Sequence, residues 1–155
     1  MHDEFLCEVT GYGVHRGRRI GVPLGTYRAP SLPLALWWLR ERATWLAERL
    51  DPTPDTTRLP PAALAPVPPG TPDAPTELRA WRSDPVRQEV VAVQLASGLL
   101  VRFVAHDETT EYELLAESVD ALRMRRVAPA LPPGNRRLPL GRTHSPLALP
   151  YRPRA

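Results

Sequence analysis

The side chains able to hold a cation or move a proton gather once along the chain, at His106-Asp107-Glu108 with Glu111 and Glu113. Carboxylates and an imidazole suit a hard or borderline cation. Their spacing matches no ligand loop, however, and Glu111 and Glu113 alternate as solvent-facing strand residues do. A solvated turn is therefore expected there, with no metal and no other cofactor. A second candidate is Cys7, with His15 on the same stretch. A nucleophile needs a base within hydrogen-bond reach and a third group to orient that base. No third group is evident, and a cysteine in a strand is usually a small buried hydrophobe. Gly11-Tyr12-Gly13 lacks the third glycine and the following helix of a dinucleotide fingerprint, and neither a P-loop nor a GxSxG pattern occurs. No catalytic residue is assigned, and the expectation is a protein that is not an enzyme.

Binding chemistry is better represented. All 20 basic residues are arginine, and three of the four tryptophans fall between Ser31 and Leu50. That stretch, SLPLALWWLRERATWLAERL, predicts the one long helix. Ser31 stands at the N-cap, Pro33 fits the first turn, and Asp51-Pro52 ends it. On a helical wheel Leu32, Leu36, Leu39, Ala43, Leu46 and Leu50 form a core-facing stripe. Leu34, Trp38 and Trp45 form a second apolar row, so the helix needs two partners. A sheet can cover the leucines. The tryptophans are then either core, under the proline-rich linker, or an interaction face, since tryptophan and arginine are enriched at interface hot spots. On the second reading Trp38, Trp45, Arg42 and Arg49 are the partner-binding residues. Trp37 lies on a third bearing, against Glu41.

The other binding candidate is the C-terminus. The net charge is only +3, but residues 121–155 hold eight arginines and no acid, whereas 81–120 hold eight acids and three arginines. Arg123, Arg125, Arg126, Arg136, Arg137, Arg142 and Arg152 could each neutralise a phosphate, with Tyr151 stacking on a base. The bland alternative is that proline and arginine accumulate in a terminus of a protein from a high-GC bacterium.

These residues are positioned by an α+β chain. Phe5–Val9 and Arg19–Leu24 predict a hairpin across a turn-prone connection from Gly11-Tyr12-Gly13 through Arg16-Gly17-Arg18, and Pro23 marks the second strand as an edge. Gly17, Arg18 and Arg19, then Leu24, Gly25, Thr26 and Tyr27 ahead of the helix, loosely resemble AP2-like and integrase arm-type DNA-binding domains. That resemblance implies a three-stranded sheet with one helix, and Arg16, Arg18 and Arg19 in a DNA groove. The family's helix is alanine-rich, whereas this one is rich in leucine and tryptophan.

Residues 51–75 contain nine of the 20 prolines and predict an extended linker. Beyond it, 76–128 predicts an antiparallel meander with strands at Glu77–Trp81, Val86–Leu95, Leu99–His106 and Glu111–Ala116. A helical turn over 117–122 and a last strand at Arg123–Val127 follow. This order resembles an SH3-like small barrel. Residues 129–155 form a proline- and arginine-rich tail that lacks patterned apolar surface. The organisation expected is thus 1–50 hairpin and helix, 51–75 linker, 76–128 meander and 129–155 tail.

One cysteine precludes an internal disulfide, and no segment has the apolar length to span a bilayer, so a cytoplasmic location is expected. The functional expectation is an accessory or adaptor protein that engages a protein partner through the tryptophan-bearing helix face and its proline-rich extensions. The alternative is a DNA- or RNA-associated protein that uses the C-terminal arginines. The acidic segment 81–120 at the root of the tail favours the first.

Overall fold

Arg16 and Gly17 both hold positive φ, 51° and 73°. This is the two-residue turn whose twist matches that of its flanking strands. It joins β1 (Phe5–His15) to β2 (Arg18–Ala29), so the hairpin is longer than the sequence pattern predicts. In the computed structural model, residues 4–52, 60 and 67–127 are described. The remaining elements are α1 (Leu32–Leu50), α2 (Ala74–Ser83), α3 (Pro85–Ala96), β3 (Val101–His106), β4 (Thr110–Ser118) and α4 (Val119–Val127). The tail at 129–155 and most of the linker lie outside the described residues.

The four strands form one antiparallel sheet in the order β2-β1-β4-β3. Pairing of β1 with β4, from Phe5 on Ser118 to Gly13 on Thr110, joins the N-terminal hairpin to the C-terminal one. The sheet is open, with β2 and β3 as its edges. It is neither a closed SH3-like barrel nor a three-stranded sheet. Pro23 lies in the edge strand β2, where its missing N–H interrupts no inner ladder.

One sheet face carries the core. Phe5, Cys7 and Val9 of β1, Leu114 and Ala116 of β4, and Val101 and Ala105 of β3 are buried in the alternation of a half-covered sheet. Helices α1, α2 and α3 cover them, α1 over β1 and β2, α2 and α3 toward β3. Leu39, Leu78 and Leu95, one from each helix, are fully buried. Each such side chain contributes about 1.5–3 kcal/mol relative to exposure.

Two predicted strands are helices. Glu77–Trp81 lies within α2 and Val86–Leu95 within α3. The valines of 86–93 favour a strand, but the capping signals override them. Asp73 accepts from the Thr76 N–H, and Asp84 accepts from the N–H groups of Val86 and Arg87 at 3.0 and 3.1 Å, with Pro75 and Pro85 in the first turns. Gly98 (φ 72°) ends α3, and the Leu99 N–H donates to the Gln94 carbonyl at 2.9 Å, a Schellman closure rather than a hairpin turn. The predicted last strand at Arg123–Val127 is instead the end of α4.

The opposite sheet face is polar and cross-linked. Arg19 lies 3.8 Å over the Tyr12 ring and pairs with Glu111 at 2.5 Å. The Tyr12 hydroxyl donates to Glu113, which also takes Arg102. Glu117, the one buried charged side chain among the described residues, meets Arg125 of α4.

Candidate partner-binding surface on helix α1

Helix α1 packs on the sheet, on α2 and on α3. The buried face is Ala35, Trp38, Leu39, Ala43, Leu46 and Ala47, with Leu32, Leu36 and Trp45 partly buried against it. Leu50, at the end of the expected stripe, is 36% exposed. The core-facing arc is therefore rotated toward Trp38, which is only 6% exposed.

Trp38 is the foot of a stack that rises along the helix. Its indole stacks on Tyr27 of β2, with centroids 5.9 Å apart and planes at 19°. Arg42 follows one turn on, its guanidinium carbon 5.4 Å from the Trp38 ring and 5.3 Å from Trp45. Arg49 caps the far side of Trp45 at 4.4 Å. Spacings of four, three and four residues place these side chains one above the other. Gly25 of β2 gives the stack a floor, because a Cβ there would lie 3.6 Å from both the Arg42 guanidinium and the Trp38 ring. Among the described residues neither Arg42 nor Arg49 has a carboxylate partner. A guanidinium held face-on by indoles keeps its edge N–H groups available for a planar acceptor.

Beside this stack Trp37 stands 52% exposed. It separates two shallow hollows. One, about 400 Å³, is lined by Trp37, Arg40, Glu41 and Arg82; the other, about 210 Å³, by Trp37, Trp38, Glu41, Arg42 and Trp45. The sequence pattern passes over Trp37 because it falls on neither apolar row. That position is itself the signal, since residues 37 and 38 are about 100° apart and one helix cannot turn both indoles into the same core.

The remaining candidates fall elsewhere. Arg123 and Arg125 of α4 are engaged by Asp120 and Glu117, while Arg126 is exposed. Arg136, Arg137, Arg142 and Arg152 lie outside the described residues. Of the hairpin arginines, Arg19 is held by Tyr12 and Glu111, and Arg16 and Arg18 are exposed. Glu111 and Glu113 turn to different arginines, and no three possible ligands of a metal group together among the described residues. A hollow of about 460 Å³ does lie beside that turn, between the hairpin tip and Asp107–Thr110. Cys7 is buried beneath the helices, and burial pushes its thiol up to about 12. No helix among the described residues is long and apolar enough to cross a membrane. No protein-family model matches the chain, and no curated protein or solved structure shows significant similarity to it.

Proposed function

We propose that this chain is a non-enzymatic adaptor that docks an acidic segment of a protein partner on the outer face of α1. Trp37 and Trp45 supply rigid apolar area, and Arg42 and Arg49 receive carboxylates edge-on. The single observation that carries the reading is the tryptophan–arginine stack, whose two guanidiniums lie over indoles and, among the described residues, pair with no acid. Pre-ordering removes much of the side-chain entropy that binding otherwise costs. Trp38 serves as the buried foot of the site, and its neighbours make the contacts. A role outside catalysis is supported by the inaccessibility of Cys7, whose protonated thiol is a poor nucleophile.

The test is affinity capture from the source cell, comparing the full chain with a Trp37→Ala/Trp45→Ala variant and with Arg42→Gln/Arg49→Gln. The expected result is one acidic partner retained by the parent and lost by both variants, each folded by circular dichroism. Retention by both variants overturns the reading. Retention of nucleic acid that disappears only when 129–155 are removed transfers the function to the C-terminal arginines.

A further inference from the structure

The two edges of the sheet are built differently. Edge β2 carries Pro23 and a register shift against β1 between Val9 and Thr10. Proline, bulges and exposed charge are the devices that stop a strand from pairing with another chain. Edge β3 has no proline, and its pairing with β4 runs from Val101 to His106 without a register shift. Its two ionisable residues pair with Glu113 (Arg102) and Glu77 (His106), and Glu77 also accepts from the His106 backbone N–H at 3.0 Å, which occupies the C-terminal end of this edge.

Next to this edge, α3 turns an apolar stripe to solvent among the described residues. Val86, Val90 and Val93 are 68%, 50% and 60% exposed at i, i+4 and i+7, the spacing of a packing face. Leu99 and Leu100, which lead from α3 into β3, are exposed as well. Between α3 and β3 lies a hollow of about 260 Å³ whose lining includes Trp81, Val90, Val101 and Phe103, with Phe103 stacked on Trp81 at 4.9 Å. The valines and leucines expose on the order of 400 Å² of apolar surface, about half of the roughly 800 Å² per partner that a standard interface buries.

We propose that this face is a homodimer interface, in which β3 pairs antiparallel with β3 of a second copy and the two α3 stripes pack across the two-fold axis. A second copy fits because an isologous contact requires a self-complementary patch. With Phe103 opposite its own counterpart, each Arg102 faces a Val104, so no like charges oppose one another directly. On the stripe itself the three contact residues are uncharged, and the neighbouring Arg87 is held by Asp84 of its own helix at 3.2 Å. The result is one continuous eight-stranded sheet with an α1 surface near each end. This inference is independent of the docking role of α1.

Sedimentation velocity on the full chain over a wide dilution series tests it. The expected result is a species of twice the chain mass. Val90→Glu and Val93→Arg should each raise its dissociation constant by roughly 30-fold or more, the loss that defines a hot-spot residue. Val14→Glu, at the exposed hairpin tip, should leave the dimer intact. Circular dichroism verifies the fold, and Val93, which does not line the hollow, provides the second variant if Val90→Glu unfolds. A single-copy mass throughout, a dimer that survives both substitutions, or loss of the dimer in Val14→Glu would each overturn the proposal.

Discussion

Trp37 and Trp38 are adjacent in the chain, yet one indole is half exposed and the other is sealed between Tyr27 and Arg42. Their replacements should therefore separate stability from binding. Trp38→Ala is expected to cost about 3–5 kcal/mol in urea unfolding, the range for deleting a buried large aromatic. Trp37→Ala should change stability by no more than about 0.5 kcal/mol, as surface substitutions do. Gly21 is tight in a different way. A Cβ there would come within 2.7 Å of the Tyr12 ring, so Gly21→Ala must displace the ring that carries Arg19 and reaches Glu113. A loss of about 1–3 kcal/mol follows from overpacking. Cys7 gives a pH signature. Its thiol ionises near the ordinary 9.0 in the unfolded chain but only at about 12 in the folded one. The unfolded state therefore releases its proton first, and stability present below pH 9 falls by about 1.4 kcal/mol per pH unit as pH rises toward 12. Unfolding of Cys7→Ala should lack that component of the alkaline loss.

At the scale of elements, caps decided where residue propensity misled. Asp84 closes α2 and opens α3, and its side chain takes two α3 N–H groups. Asp84→Ala should lower stability by about 0.5–2 kcal/mol. Ser31, by contrast, occupies the N-cap position of α1 but makes no side-chain cap hydrogen bond. Ser31→Ala should fall within about 0.5 kcal/mol of the parent, and thermal unfolding of the two variants checks the difference. The sequence shows α1 because its period, cap position and stop agree over twenty residues, and it shows the first hairpin because two short strand patterns flank a glycine-rich, turn-prone stretch. It obscures α2 and α3 because a valine-rich run of ten residues reads as a buried strand whenever the Asp-Pro starts at 73–75 and 84–85 are taken for loop. Trp38 is hidden on the sheet side of α1, where Tyr27 of β2 stacks on it, so its burial is not visible in the period of the helix alone. The stack from Trp38 to Arg49 is legible as spacing, but the support from Tyr27 and Gly25 depends on β2 running on to Ala29, beyond the Leu24 end that the local pattern gives.

For the whole molecule, the order β2-β1-β4-β3 separates two surfaces. The stack on α1 lies over the β1 and β2 side, and the valine stripe of α3 flanks the β3 edge. The polar sheet face between them is neutralised by its own pairs, Arg19 with Glu111, Arg102 with Glu113 and Arg125 with Glu117. The proposed docking of an acidic segment on α1 needs no steering by the positive tail, and ionic pairs at that site would make the affinity salt-dependent. The measurement that tests this most directly is a nuclear magnetic resonance titration of the full chain with the captured partner. Movement of the Trp37 and Trp45 indole N–H and of the Arg42 and Arg49 guanidinium signals, with the Cys7 amide unmoved, is the predicted result. Shifts confined to α3, to β3 or to the C-terminal arginines, with those four side chains unchanged, would contradict it.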